Sequence, residues 1–171
     1  MVYRFEKVFD KTTIRELNEI IENYTIVHDI GINKNEDGSI YFNQYKKQLV
    51  DLNDNIKEKL TNTIENFVDT NGLEICYTRV NLVEENTNLN DDYHTDKGYD
   101  LIITYYPNDD YDGGEFEWLE NGKPYQFKPI KDSITIMLDN PPHRVCNVTK
   151  GKRYSIVTFC KTKRKRQVKF L

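Results

Sequence analysis

The sequence predicts a mainly β protein with helices at its N-terminal end, an antiparallel sandwich or barrel supported by helical packing. Three observations carry this. Up to Gly72 apolar residues recur at helical spacing, and after Gly72 short β-type runs alternate with turn residues. Between two of those runs lies Asn121-Gly122, the strongest hairpin signal in the chain.

Taken in order, Ile14, Leu17, Ile20, Ile21 and Tyr24 mark one face of a helix over Thr12 to Tyr24, with Asp10 or Thr12 as its cap. His28 to Asn43 holds Gly31, Gly38 and a polar cluster, and reads as a long loop or loose hairpin with room to be a lid. From about Gln48, the residues Leu49, Leu52, Ile56, Leu60, Ile64, Phe67 and Val68 predict a second, longer helix ended by Asn71-Gly72. Strands are then expected over Glu74 to Val83, Tyr99 to Tyr106, Glu115 to Leu119 and Tyr125 to Pro129. Three more follow at Ser133 to Leu138, Arg144 to Val148 and Arg153 to Cys160. The chain is expected to be one domain, with 1–72 as helical support, 73–160 as the β region and 161–171 as a basic tail.

Its 171 residues suffice for a core that needs no disulfide or oligomer. Cys76, Cys146 and Cys160 are odd in number and form no CxxC pair, which argues against a disulfide framework and a structural zinc cluster and favours a reducing cytoplasm. The N-terminus lacks the features of a signal peptide, and no run is apolar enough to cross a bilayer, so no membrane partner is expected. Ala is absent while Asn, Lys, Ile and Tyr are abundant, the bias of an AT-rich coding sequence such as a virus or low-GC bacterium would carry. Net charge is −4, yet Lys161, Lys163, Arg164, Lys165, Arg166 and Lys169 follow Cys160 with no acid among them. Such a tail is either a solvated terminus or a contact for nucleic acid or an acidic surface.

Two of the three histidines, His94 and His143, stand beside strands of the β region. In His94-Thr95-Asp96 the alternation of an extended chain puts His94 and Asp96 on one face, where both reach one ion. Either histidine alone reads as an ordinary strand or loop residue. Together with Asp96 they make the two-histidine, one-carboxylate facial set of non-haem iron(II) oxygenases, although zinc or manganese would bind the same donors. Alternation further places Arg153, Ser155, Val157 and Phe159 on one face of the last strand. If that face is inward, Arg153 is a buried cation that needs a carboxylate, which arginine grips with two prongs. Ser155 adds a hydroxyl beside it. His28 lacks such partners and reads as structural or exposed; Trp118 belongs to the outer sheet or to a cavity mouth.

These residues resemble the Fe(II)/2-oxoglutarate-dependent dioxygenases, particularly the prolyl-4-hydroxylase-like branch. The resemblance runs from about Glu74 to Cys160. It rests on His94-Thr95-Asp96, Tyr105-Tyr106-Pro107-Asn108, Gly113-Gly114-Glu115-Phe116, Lys128-Pro129, His143-Arg144-Val145 and Gly151-Lys152-Arg153-Tyr154-Ser155. It implies a double-stranded β-helix, or jelly roll, and an iron(II) held by His94, Asp96 and His143. It implies also that 2-oxoglutarate is bound at the iron with its distal carboxylate on Arg153, helped by Ser155 and by a tyrosine, Tyr106. Collagen-type members have Lys where this chain has Arg153, which sets it nearer the oxygen-sensing or bacterial and viral members. The implied reaction consumes O2 and 2-oxoglutarate, hydroxylates a C–H bond and releases succinate and CO2, with ascorbate as a reductant. A protein or peptide side chain such as proline is the expected substrate. A nucleobase or small molecule approached through the tail, or a cupin-like metal-binding module without turnover, are the alternatives. Glu84, Glu85, Asp91 and Asp92 lead into His94 and form either a solvated loop or an acidic rim that attracts a basic substrate.

Overall fold

The structure, a computed structural model, describes residues 1–23, 31–34, 40–43, 46–69, 72–85, 87, 89, 92–162 and 167–168; at 31–34, 40–43, 46–48 and 167–168 the description is of the backbone. The N-terminal part comprises β1 (Val2–Glu6), α1 (Lys11–Glu22), β2 (Gly31–Lys34), β3 (Ile40–Asn43), β4 (Lys46–Val50), α2 (Asp54–Phe67) and β5 (Val68–Asp69). Next come β6 (Leu73–Glu84), β7 (Leu101–Tyr106), β8 (Asp112–Gly113), β9 (Phe116–Glu120) and β10 (Lys123–Phe127). The last elements are β11 (Ser133–Leu138), β12 (His143–Val145), β13 (Val148–Lys150), β14 (Lys152–Thr162) and β15 (Gln167–Val168).

A six-stranded antiparallel sheet, in the order β1-β11-β7-β14-β6-β4, faces a smaller layer made of β10-β9-β12 and the pair β13-β8. This is the expected double-stranded β-helix. Residues directly opposite in an antiparallel pair share a face, so register alone sorts the side chains. Ile102, Met137, Val157 and Phe159 point into the lumen and pack with Phe116 of the smaller layer. Leu101, Ile103, Tyr105, Ile134, Ile136, Leu138 and Ile156 point the other way, onto Leu17 of α1 and Ile56, Leu60 and Ile64 of α2. Covered on both faces, β11 is buried along its whole length. Among the described residues no helix is long and apolar enough to cross a membrane.

Both helices start where a side chain satisfies a free amide. Asp10 accepts from the Thr13 amide at 2.7 Å, and Asn53 from the Ile56 amide at 2.9 Å. The second helix is shorter than its periodicity suggests. Residues up to Val50 belong to β4, which hydrogen-bonds to β6, and Leu49 there is 73% exposed rather than part of a helical core stripe. At its other end the chain becomes extended at Val68 and pairs with Gln167–Val168, so two tail residues are held in a ladder. Lys161 and Thr162, expected in the tail, instead continue β14, and residues 163–166 and 169–171, with His28 and Asn71, lie outside the described residues. The expected loop or loose hairpin contains the paired strands β2 and β3. The N-terminal Val2–Glu6, which carries no strong pattern, forms an edge strand on β11.

The Asn121-Gly122 hairpin forms as expected, with φ of 53° and 73°. The strand expected over Arg144 to Val148 is instead divided into β12 and β13. Its partner chain breaks at Gly113-Gly114, both at positive φ, and the Gly114 amide donates to the Asn147 carbonyl at 3.0 Å. A Cβ on Gly113 would stand 2.3 Å from that same carbonyl oxygen, so only glycine allows the crossing.

Candidate active site

The β6–β7 connection and β12 meet at a single antiparallel bridge. The His94 amide donates to the His143 carbonyl at 3.0 Å and the reverse bond measures 2.9 Å. That reciprocal pair sets both rings on one side, with centroids 4.6 Å apart. Asp96, two residues on, brings Oδ2 to 3.3 Å from His143 Nε2. The ligand atoms of His94, Asp96 and His143 all lie within 4.8 Å of one another, and this is the only group of its kind among the described residues.

His143 Nδ1 lies 2.9 Å from the Pro141 carbonyl, which can only accept, so Nδ1 carries the proton and Nε2 keeps its lone pair for an ion. Phe116 stacks on the other side of the ring at 5.6 Å. Asp96 is held through its backbone. Asn140 accepts from the Asp96 amide at 3.1 Å and donates to the Asp96 carbonyl. Asp139 and Asn140 take positive φ to present that amide, a conformation asparagine and aspartate tolerate. A further brace spans the two histidines. Glu117 accepts from Arg144 Nε at 2.6 Å and from the Tyr93 hydroxyl at 3.1 Å, and so ties the residue before His94 to the residue after His143.

Local desolvation of its ring and the neighbouring His143 hold the His94 imidazole below its ordinary pKa, although the residue as a whole is exposed. Burial alone would raise the Asp96 carboxyl, but the His143 hydrogen bond and the charges of His143, Arg79 and His94 outweigh it and hold the pKa down. Both shifts favour the deprotonated donors a metal requires.

Arg153, 2% exposed, faces the lumen from β14 opposite Val83, and Ser155 follows it on the same face opposite Asn81. The Arg153 guanidinium carbon lies 5.3 Å from the centre of the Tyr106 ring, and the Tyr106 hydroxyl is 3.0 Å from Thr135 Oγ1. Tyr111 completes the surround: burial pushes its phenol up to about 12 against the opposing charge of Arg153. Burial raises Tyr106 as well, again opposed by Arg153. Lys128 donates to the Tyr111 carbonyl at 2.8 Å and to the Gly113 carbonyl, fixing the turn beneath them.

Buried polar atoms in proteins are almost always paired. Among the described residues five buried side-chain polar atoms have no partner: Arg79 Nε, Asn81 Oδ1, Tyr111 Oη, Trp118 Nε1 and Arg153 Nε. Arg79, Asn81 and Arg153 face the lumen by register, and Trp118 stands directly across from His143. The cavity is therefore built for polar ligands. The residues fit iron(II) and 2-oxoglutarate: three convergent donors for the ion, and a buried guanidinium with an unpartnered Nε for a carboxylate. Gly114 supplies the clearance, since a Cβ there would lie 2.9 Å from Arg153 Cδ.

Of the six residues the sequence singles out, Arg153, Ser155 and Tyr106 face the lumen from β14 and β7, and His94, Asp96 and His143 meet at the β12 bridge, where the His143 ring stacks on the lumen residue Phe116. Trp118 proves to be on the lumen side rather than the outer sheet. Arg79, Asn81, Tyr111, Asn140 and Glu117 were missed. The alternation of Tyr77, Arg79, Asn81 and Val83 against the β14 pattern is the signal that would have exposed the first two. In the acidic rim, Glu84 pairs with Lys152 at 3.1 Å and the Glu85 amide donates to the Gly151 carbonyl at 3.0 Å; Asp91 lies outside the described residues.

Comparison of the sequence with curated proteins returned no match. A family model described as 2OG-Fe(II) oxygenase superfamily matches residues 80–161, the span that holds both histidines, Asp96 and Arg153. Among solved structures, a 2OG-Fe(II) oxygenase family oxidoreductase from Burkholderia pseudomallei superposes with a TM-score of 0.68 at 14% identity, covering 94% of this chain and 84% of that one. A Pseudomonas putida prolyl-4-hydroxylase gives 0.65 at 16% identity, covering 95% and 93%. A Trichoplax adhaerens prolyl hydroxylase, solved with a hypoxia inducible factor peptide fragment, gives 0.63 at 14% identity, covering 94% and 83%. With the triad and the buried arginine already in place, residues 80–161 belong to the 2OG-Fe(II) oxygenase superfamily, and the protein is an enzyme of the dioxygenase class.

Proposed function

We propose that the protein hydroxylates a C–H bond of a protein or peptide side chain, proline among the candidates, using iron(II), 2-oxoglutarate and O2. The observation that carries the reading is the buried Arg153, its Nε unpaired, which faces the lumen from β14 while the triad is carried at β12 of the layer opposite. A protein that only holds a metal has no need of a second buried cation, because an uncompensated one costs several kcal/mol.

His94, Asp96 and His143 would hold the iron(II), and Arg153 the distal carboxylate of 2-oxoglutarate with Tyr106, Tyr111 and Ser155 around it. When bound, iron with 2-oxoglutarate and O2 supplies the oxidant that turns C–H into C–OH and leaves succinate and CO2. The protein's own contribution is placement. Pro141 orients the His143 ring, Asn140 fixes Asp96, and the Phe116, Met137, Val157 and Phe159 cluster keeps water from the buried end. A peptide substrate is supported by likeness of fold to the prolyl hydroxylases. A reducing cytoplasm is the proposed location, on the odd number of cysteines and the lack of a CxxC pair in the sequence.

The test is succinate release by protein reconstituted anaerobically with Fe(II), then supplied with ascorbate, 2-oxoglutarate and O2, alongside mass spectrometry of cell peptides for added oxygen. Release that disappears in His94→Ala and Asp96→Ala supports the proposal. No release from the intact protein under these conditions would remove the hydroxylase assignment.

A further inference from the structure

Arg79 has no role in the scheme above, yet it stands in the same lumen. On β6 it lies directly across from Val157 on one side, and so faces inward two residues along from Asn81 and Ser155. Its guanidinium carbon sits 4.6 Å over the Phe159 ring, and Phe159 is itself packed against Tyr77 at 4.5 Å and Tyr99 at 5.1 Å. That aromatic floor fixes the planar group in place. Its Nε is buried without a hydrogen-bond partner, and no carboxylate among the described residues forms an ion pair with it. Along β6 it stands two inward positions before Val83, the residue across from Arg153, and so lies away from the Arg153 end of the lumen.

Charge balance gives it a purpose. With the cofactors bound, the two positive charges of iron(II) meet Asp96 and one carboxylate of 2-oxoglutarate, and the other carboxylate meets Arg153. Arg79 is the cation left over, in a cavity already carrying a divalent ion. A cationic group brought into this space would be repelled, and an anionic one attracted, by strengths that grow as water is excluded. On the other side of β6, Leu49 of β4 lies opposite Arg79 on the same face and is 73% exposed, an apolar rim beside the charge.

We infer that Arg79 is the substrate-recognition cation of this site, receiving a carboxylate carried on an apolar body while the C–H bond to be oxidised lies towards the metal. This rests on the proposed function and narrows it: the substrate presents an anion to the lumen, the opposite of the basic substrate that the acidic residues before His94 suggest.

Trp118, the chain's single tryptophan, faces the cavity across from His143 and reports on its contents by fluorescence. The full chain is loaded with Mn(II) and saturated with 2-oxoglutarate without O2, and is then titrated with 3-phenylpropionate and its neutral twin 3-phenylpropanamide. The expected result is a saturable response in which the carboxylate binds at least about tenfold tighter, the effect of about 1.4 kcal/mol. In Arg79→Met that preference disappears, and in Arg79→Lys part of it returns, while the first titration with 2-oxoglutarate stays within about twofold of the wild type; thermal melting confirms that both variants fold. Equal binding of acid and amide by the wild type, or no saturable response to the acid, overturns the inference. Loss of 2-oxoglutarate affinity in Arg79→Met overturns it too, by assigning Arg79 to the cosubstrate. Failure of the wild type to bind 2-oxoglutarate at all counts against the proposed function itself, and is read before any phenyl probe is added.

Discussion

Gly114→Ala and Gly113→Ala are adjacent substitutions whose consequences should differ in kind. At Gly114, φ is 67°, a left-handed conformation that costs an L side chain roughly 1–2 kcal/mol. The new Cβ would stand 2.9 Å from Arg153 Cδ, 3.0 Å from Tyr111 Cε2 and 3.1 Å from Val148 Cγ2. Ordinary carbon contacts lie near 3.5–4.0 Å, so Arg153 must retreat by about 0.5–1 Å. A retreat of that size breaks one prong of a two-pronged carboxylate grip, and a charged hydrogen bond contributes about 1.5–3 kcal/mol. Affinity for 2-oxoglutarate should therefore fall by about tenfold to a hundredfold. At Gly113 the Cβ would lie 2.3 Å from the Asn147 carbonyl oxygen, which is backbone and cannot step aside. That variant should lose more stability, read as a lower urea midpoint, than Gly114→Ala. Its surviving folded fraction should bind 2-oxoglutarate more nearly as the wild type does. The assay is calorimetric titration of 2-oxoglutarate into Mn(II)-loaded protein, beside urea unfolding of each variant. Wild-type 2-oxoglutarate affinity in a folded Gly114→Ala would refute the reasoning, because it would mean that Arg153 does not grip the cosubstrate.

Three other predictions follow from the same geometry. Arg153→Lys keeps the charge but loses the planar fork, and should raise the 2-oxoglutarate requirement by about tenfold with little change in metal affinity; a variant indistinguishable from wild type would remove Arg153 from the clamp. Asn140→Ala deletes both bonds that hold the Asp96 backbone and should weaken Mn(II) binding by about tenfold, within the range of outer positioning groups; unchanged affinity would show that Asp96 is held by its own turn. Acidification should destabilise the metal-free protein through two groups of the same sign. The folded His94 pKa is lowered, so the unfolded chain takes up a proton first and stability falls as pH drops below the ordinary histidine value of 6.5. The folded Asp96 pKa is lowered too, so its contribution is present above 3.8 and is lost as pH falls through the folded value. A melting temperature in chelator that rises between pH 7 and pH 5 in the wild type, relative to a His94→Asn variant, would contradict the His94 assignment.

Bracing of the metal site repeats one physical device at three points. Each brace bonds to an atom other than the ligand atom: Pro141 to Nδ1 of the His143 ring, Asn140 to the Asp96 backbone, and Glu117 to Tyr93 and Arg144, the neighbours of His94 and His143. The Asn140 and Glu117 braces join segments far apart in sequence and so tie the β6–β7 connection to the chain around β12. The same arrangement leaves the donor atoms themselves unencumbered.

The chemistry of this protein is written in short local patterns, and those the sequence determined alone. Alternation in an extended chain is a property of the backbone, so His94 and Asp96 on one face, and Arg153 and Ser155 on another, follow without knowledge of any partner strand. Asn121-Gly122 made its hairpin because the required φ values belong to those residues. Where the outcome depended on what lies across a ladder, the sequence fell short. Leu49 has the spacing of a helical core residue, yet β6 offered the backbone of Lys46–Val50 a sheet edge and the helix began only at Asn53. Val2–Glu6 is a strand only because β11 lies beside it, and Gln167–Val168 because β5 does. Arg79 shows the same limit at the site. Its inward direction is set by register against Val157, and its lack of a partner by everything that fails to reach it; both are properties of the closed sheets, since only tertiary structure brings residues from β6, β9, β12 and β14 around one space.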